Sequence, residues 1–138
     1  MTAADPVLFA QTIILADAAG TDVDGIDVRI GRLENTDVPP VILLEDAGWI
    51  RSDSLPAFLP ARVSVTAYGR SESEASLLLR AAMDILHRAG PRVIDGIGLW
   101  RAYDETGPQS RDDPDTRWPA RFTVAALFMP DVALAVVS

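Results

Sequence analysis

The sequence of 138 residues contains no cysteine and no lysine, and His87 is its only histidine. The lack of cysteine excludes disulfides, thiolate nucleophiles and cysteine-ligated zinc. The lack of lysine excludes the lysine of a phosphate-binding P-loop and the lysine of Schiff-base catalysis. A serine nucleophile would need His87 as its base, but this residue falls in the last turn of a predicted helix and is typical of a helix end. These absences point away from nucleophilic and phosphate-loop enzymes.

Long apolar runs and clusters of positive charge are also missing. No stretch approaches the roughly 20 apolar residues that cross a bilayer, so we expect no membrane association. The 12 basic residues are outnumbered by 20 acidic ones, which gives a net charge of −8, and no basic cluster is longer than a pair. Affinity for nucleic acid comes mainly from neutralisation of phosphates by lysine and arginine. We therefore expect no tight binding to DNA or RNA, although an acidic surface suits a passage through which DNA slides.

Acidic residues are abundant, but their spacing favours neither a metal site nor a pair of catalytic carboxylates. The spacing in the aspartate-rich stretch 20–27 lacks the glycine at loop position six and the distal glutamate that a calcium loop needs. Asp112 and Asp113 fall in the most polar stretch of the chain, 104–117, which has the composition of a solvated loop. Such a loop provides no burial that would tune a carboxylate as an acid or a base. We expect no catalytic residue, no metal and no cofactor, and hence no enzyme.

The stretch that begins at residue 61 predicts a strand followed by a helix. Between 61 and 68, apolar residues alternate with Arg, Ser, Thr and Tyr, which indicates a strand with one buried face. Ser71 precedes Glu74 by the spacing of a capping box, in which the hydroxyl accepts from the Glu74 N–H and the carboxylate accepts from the Ser71 N–H. The helix that follows has one apolar and one polar face. We expect it to end at Gly90 in a left-handed conformation, with Pro91 preventing continuation.

The remaining stretches complete a single domain, 1–138. A first helix is predicted with Asp5 as its N-cap and Pro6 as its first residue, continuing through 7–18 and ending at Gly20. Because this helix is apolar nearly all round, we expect other structure or a neighbouring subunit opposite the sheet. Further strands are predicted at 28–33, 41–45, 97–103 and 118–129, the first two forming a hairpin, with long loops at 46–60 and 104–117. An apolar tail at 132–137 has no predicted place. Together these elements predict an α+β fold in which an antiparallel or mixed sheet of about five strands carries two main helices.

Several local patterns occur in the order found in one family of viral proteins. They are the run PARVSVTAYG at 60–69, the helix start SESEA at 71–75, Gly107-Pro108, Asp113-Pro114-Asp115 and the strand entry Trp118-Pro119. With these motifs, the stretch 28–130 resembles the tail-terminator, or tail-completion, proteins of long-tailed bacteriophages and related prophages. The predicted N-terminal helix also fits that resemblance.

The resemblance implies a fold, an assembly and a place of action. Family members have an antiparallel or mixed sheet with helices packed on it, and they form a hexameric ring. That ring caps the tail tube at its head-proximal end, ends tube growth and joins tail to head, while DNA passes through the lumen without specific binding. A similar protein would be a virion component assembled in the host cytoplasm, with the tail-tube protein and a head-completion or connector protein as partners. A lumen poor in cations would let the DNA phosphates slide.

Two loops are candidates for the ring and tube contacts that the resemblance implies. The bulky loop 46–60 and the polar loop 104–117 are where we expect a partner surface. The interface hypothesis names six residues: Trp49, Arg51, Phe58, Asp112, Asp113 and Arg117. Two other classes stay open. The chain could be a small-ligand-binding α+β domain, or it could be another head–tail connector or tail-tube protein.

Overall fold

The computed structural model describes residues 5–33, 37–49, 60–94, 96–99, 101–104, 106–111 and 118–129. The described helices are α1 (Pro6–Ala16) and α2 (Glu72–Ala89). The strands are β1 (Asp27–Ile30), β2 (Val41–Trp49), β3 (Pro60–Tyr68), β4 (Arg92–Ile94), β5 (Ile97–Leu99), β6 (Arg101–Asp104), β7 (Gln109–Arg111) and β8 (Ala120–Phe128). The main sheet has the order β1-β2-β3-β8-β6, with β7 also paired to β8, while β4 and β5 form a separate ribbon. This mixed sheet with two helices confirms the predicted α+β fold.

Both helices pack on the same face of the main sheet. The first helix lies over β1, β2 and β3, and the second lies over β3, β8 and β6. A single apolar core joins the inner sides of the helices to the strand residues that face them. Its most deeply buried members include Ile13, Ile14, Ile42, Leu44, Val63, Val65, Leu79, Leu86, Ala125 and Leu127. The alternation predicted for β3 is confirmed, because every second residue of that strand, from Ala61 to Ala67, belongs to this core.

The start of α2 follows the predicted capping pattern with one difference. Ser71 Oγ accepts from the Glu74 N–H at 3.1 Å, as expected. The Glu74 carboxylate accepts from the N–H of Arg70 at 3.0 Å, one residue earlier than the capping box predicted. Gly69 lies in the connection from β3 to α2, where there is no room for a side chain. A Cβ at this position would lie 2.5 Å from the Ala75 backbone nitrogen. The turn therefore requires glycine for space and not for a special φ.

The end of α2 corrects the prediction for Gly90. This residue caps the helix in an extended conformation, with φ −100° and ψ 161°, and not in the left-handed region. The cause is Pro91, because the proline ring disfavours helical backbone angles at the residue before it and moves that residue to extended ones. The helix ends where the sequence predicts, but proline and not glycine geometry ends it.

The hairpin predicted for the first two strands is wrong. β1 runs parallel to β2, with Asp27 opposite Val41 at its start. Because β1 has only four residues, the connecting stretch 31–40 is long enough to carry the chain back to the end from which β1 began. Proline, Asn and Asp mark a loop but do not fix the direction of the strand that follows it. The edge strand is also held by α1, since Gln11 Nε2 donates to the Val28 carbonyl at 2.8 Å.

The strand predicted at 97–103 is divided in the structure. Its first part, β5, pairs with β4, and its last part, β6, pairs with β8 in the main sheet. The strand β4 precedes this division, and Gly96 adopts φ +79° at the turn into β5. The loop predicted at 104–117 likewise contains β7. Strands of three residues are too short for alternation to reveal them.

The last predicted strand, 118–129, is present as β8 and alternates between two environments. Its residues Thr123, Ala125 and Leu127 are buried on the helix-covered face. We call the opposite side of the sheet the second face. It carries Arg62, Ser64, Thr66 and Tyr68 from β3, Phe122, Val124, Ala126 and Phe128 from β8, and Arg101 and Tyr103 from β6. A smaller apolar cluster of Leu43, Tyr68 and Ala120 lies on this face.

Candidate interaction surfaces

Some titratable side chains of the described residues form pairs that link elements of the fold. Arg92 donates to both oxygens of Asp17 at 2.7 and 3.2 Å, which ties β4 to the end of α1. The hydrogen bonds to Asp17 raise the pKa of Arg92 above its ordinary value. His87 Nε2 lies 3.1 Å from Asp104 Oδ1, between α2 and β6. Across the described ranges, no group of three or more His, Asp or Glu side chains is arranged to hold a metal.

One of the six predicted interface residues lies in the part of the chain that the structure describes. Trp49 is the last residue of β2, and its backbone is opposite Ala61 of β3. The others lie outside the described residues: Arg51, Phe58, Asp112, Asp113 and Arg117. Their role in an interface stays a prediction.

The two stretches that supply those residues are attached at opposite ends of the sheet. The stretch 50–59 joins β2 to β3 beside Ala61. The stretch 112–117 follows β7, whose last residue pairs with Ala120 beside Tyr68. At about 3.3 Å per residue, the distance along β3 from Ala61 to Tyr68 is roughly 23 Å. The points at which the two stretches join the described strands are therefore far apart on the sheet.

A cluster of aromatic and arginine side chains lies on the second face, where β6 pairs with β8. The rings of Tyr103 and Phe128 stack with centroids 5.5 Å apart. The Arg101 guanidinium carbon lies 5.8 Å from the centroid of the Tyr103 ring, within reach of a cation–π contact. Arg62 of β3 is in the same cross-strand row as Tyr103. Tyrosine, phenylalanine and arginine are enriched in protein–protein interfaces, and both rings here are only half-buried.

The outer side of α1 carries no charge. None of the 11 residues of this helix is charged. Leu8 and Leu15 lie two turns apart on the outer side, and each is 52% exposed. Thr12 lies between them and donates its hydroxyl to the Leu8 carbonyl at 2.9 Å. Surface helices normally direct charged residues to water, so this face is suited to contact with another chain. Cover of α1 by a neighbouring subunit stays a prediction.

The outer side of α2 is charged and is bordered by two cavities. The first has a volume of about 340 Å³ and the second about 290 Å³. Both are lined by Leu77 and Arg80, so they meet at the middle of the helix. Exposed and half-buried polar side chains dominate their walls, in contrast to the uncharged face of α1.

Comparison with known proteins does not assign this chain to a family. No protein-family model matches it, and no match is found among curated proteins. None of the helices that the structure describes is both long and apolar enough to span a membrane.

The aromatic and arginine cluster is the part of these surfaces that sequence reasoning missed. Arg101 and Tyr103 are two residues apart, which places them on one face of a strand. That signal was available, but the partner Phe128 is far away in the sequence and is brought near by the pairing of β6 with β8. Cross-strand register between distant segments cannot be read from alternation alone.

Proposed function

We propose that this protein forms the ring that ends the tail of a long-tailed bacteriophage. Six copies form a homo-hexamer at the head-proximal end of the tail tube, stop its growth and join the tail to the head. The tail-tube protein binds on one side of the ring, and a head-completion or connector protein binds on the other. DNA passes through the lumen without specific binding. The protein acts without catalysis, metal or cofactor.

The order of the elements is the observation that carries this proposal. The resemblance implies an N-terminal helix, a central strand followed directly by a helix, and a final strand, in an antiparallel or mixed sheet with helices packed on it. The chain has this order from α1 to β8, with both helices on one face of the sheet. The motifs that carry the resemblance also fall at structural boundaries. The run 60–69 contains β3, Ser71 caps α2, and Trp118-Pro119 leads into β8.

Two surfaces on opposite sides of the chain support the ring. A closed ring is built from heterologous contacts, in which one patch of each copy meets a different patch of the next. The outer side of α1 is directed away from the sheet, and the cluster of Arg101, Tyr103 and Phe128 lies on the second face. None of the residues named in these two patches is a carboxylate. Contact between them would avoid like-charge repulsion, which matters for a chain with a net charge of −8.

The charge balance supports passage of DNA over binding of DNA. Each phosphate neutralised by an arginine releases counterions and strengthens non-specific binding. A ring of acidic subunits offers few such contacts, because 20 acidic residues outnumber 12 basic ones in each copy. DNA would therefore move through the ring with little retention.

The small-ligand alternative has less support from the described surface. Small-molecule sites are concave and mostly apolar, with a few placed polar groups. The two cavities along α2 are instead lined largely by polar and charged side chains, among them Ser73, Arg80 and Asp84. Another connector or a tail-tube protein would share the ring and differ in its axial partner.

The native mass of the purified protein tests the ring. Light scattering after gel filtration should give about six times the 14.8 kDa of one chain, and negative-stain images of that peak should show rings. A chain that stays monomeric at every concentration, with and without tail tubes, would contradict the proposal. That result would favour the small-ligand alternative.

A further inference from the structure

Two arginines from different elements line the first cavity on the outer side of α2. Arg80 comes from α2 and Arg121 comes from β8, next to its partner Ser110 of β7. We call this cavity the α2 cleft; its described lining consists of Glu72, Ser73, Ser76, Leu77, Arg80 and Arg121. Among these residues Glu72 is the one carboxylate. The cleft therefore has an excess of positive charge on a chain whose net charge is −8.

Neither arginine of the cleft is neutralised within the described residues. Arg80 and Arg121 make no ion pair and no side-chain hydrogen bond there, whereas Arg29 pairs with Asp27 and Arg92 pairs with Asp17. Like charges that line one cavity repel each other, and a bound anionic group removes that repulsion. Two unpaired arginines in an acidic chain thus favour an external carboxylate or phosphate.

The second cavity along α2 differs from the α2 cleft in the charges of its lining. It shares Leu77 and Arg80 with the α2 cleft, but Asp22 and Asp84 lie in its lining beside Arg88. Arg88 Nε already donates to the Asp84 carbonyl of the same helix at 3.2 Å. The described lining of this cavity has two arginines and two aspartates and hence no net charge, so an acidic ligand would meet less attraction here than in the α2 cleft.

An exposed apolar side chain joins the two cavities. Leu77 is 51% exposed and contributes to both linings. A free phosphate gains nothing from such a residue, whereas a protein segment can place an apolar side chain on it. The hydroxyls of Ser73 and Ser76 can donate to carboxylate oxygens beside the arginines. The lining thus matches an acidic segment with an apolar neighbour.

We infer that the α2 cleft binds an acidic segment of a second copy of this chain, with carboxylates against Arg80 and Arg121 and an apolar side chain against Leu77. Charge complementarity selects this occupant, because each copy offers 20 acidic residues. Nucleic acid is disfavoured, since two arginines beside a carboxylate and a leucine provide few phosphate contacts. The inference rests on the proposed ring, because heterologous contacts bring a different surface of the next copy against each copy, and the α2 cleft would add a charged contact to that interface.

Charge reversal tests the cleft against a matched control. Arg80→Glu with Arg121→Glu changes the charge as much as Arg32→Glu with Arg70→Glu, and the control arginines do not line the cleft. We expect the cleft variant to raise the concentration for half-assembly on the order of 100-fold in analytical ultracentrifugation, because carboxylates would then face carboxylates. The control should change it by less than about 3-fold, as expected for rim charges under salt screening. Circular dichroism checks that each variant folds. If the double variant does not fold, the single variant Arg80→Glu replaces it in the assembly measurement.

A peptide titration tests whether the α2 cleft binds carboxylates, independently of whether the protein forms a ring. An acetylated and amidated tetra-aspartate peptide should shift the Arg80 and Arg121 Nε–H NMR signals of unassembled protein, and tetra-asparagine should not. If the wild type forms a ring but charge reversal leaves assembly unchanged, the inference is overturned and the ring stands. If tetra-aspartate does not perturb either arginine, the inference is also overturned. A wild type that never assembles contradicts the ring itself, and with it the second copy as occupant.

Discussion

The two helices lie on the same face of the same sheet, yet their outer sides differ in charge. α1 exposes Leu8 and Leu15 and carries no charged residue, whereas α2 exposes Arg80, Asp84 and Arg88. The inner sides of the two helices are alike, because both supply fully buried aliphatic side chains to one core. The hydrophobic core therefore depends on the inner sides. The difference between the outer sides indicates that each helix meets a different environment outside the folded chain.

Truncation on the inner sides should show that the helices are equivalent where they face the sheet. Ile14→Ala in α1 and Leu86→Ala in α2 each remove a fully buried side chain. We expect each to lower the free energy of unfolding by about 3 kcal/mol, from lost burial and the cavity left behind. Urea unfolding followed by circular dichroism measures this as a lower midpoint with an unchanged slope. A loss below about 1 kcal/mol in one helix only would show that this helix is not part of the common core.

Gly69 tests how closely α2 approaches the strand before it. In Gly69→Ala the new Cβ would lie 2.5 Å from the Ala75 nitrogen and 2.8 Å from the Ser71 carbonyl oxygen. Because both are backbone atoms, the first turn of α2 must move, and we expect a loss of about 2 kcal/mol. Ser73→Ala, on the exposed side of the same turn, is the control and should change stability little. Equal stability of Gly69→Ala and wild type would refute the close approach.

The two helices begin in the same way, each with a side-chain oxygen that caps its N-terminus. Asp5 Oδ1 accepts from the N–H groups of Val7 and Leu8, and Ser71 Oγ accepts from Glu74. Asp5→Ala and Ser71→Ala should each cost about 1 kcal/mol. Asp5→Asn and Ser71→Asp keep an acceptor and should restore most of that loss in thermal unfolding. If the alanine variants were as stable as wild type, the capping hydrogen bonds would contribute nothing.

Substitutions on the outer side of α1 should have the smallest effect on stability and a clear effect on assembly. Leu8→Gln with Leu15→Gln replaces the exposed leucines by polar residues of similar length. We expect a change within about 0.5 kcal/mol in the free energy of unfolding, because half-exposed side chains contribute little to the core. Under the proposed ring, native mass spectrometry should show a shift towards smaller species. A ring of unchanged mass and stability would remove α1 from the contact between subunits.

Local patterns allowed the sequence to predict much of the fold. Alternation identified β3 and β8, and the spacing of Ser71 and Glu74 identified the start of α2, because these signals depend only on neighbouring residues. The direction of β1 relative to β2 could not be predicted in this way. The loop residues near Pro39 and Pro40 would suit a hairpin turn as well as a connection between two parallel strands. The short strands β4, β5 and β7 were missed because three residues show no period.

The candidate surfaces were harder to predict, because they depend on register between distant segments. Arg80 and Arg121 meet at one cavity only through the packing of α2 on β8, and Tyr103 meets Phe128 only through the pairing of β6 with β8. Sequence reasoning placed the interface instead on bulky and polar loops. Of those residues, the structure describes only the backbone of Trp49 at the end of β2.

The position at which this protein binds on a tail tube distinguishes a ring that ends the tail from the other classes of protein. Tubes assembled from the tail-tube protein of the same genome can be mixed with gold-labelled protein and examined by negative-stain electron microscopy. The proposed function predicts one label cluster at a single end of each tube, together with an arrest of further tube growth. Labels distributed along the tube wall, or tubes that keep growing at both ends without label, would contradict it.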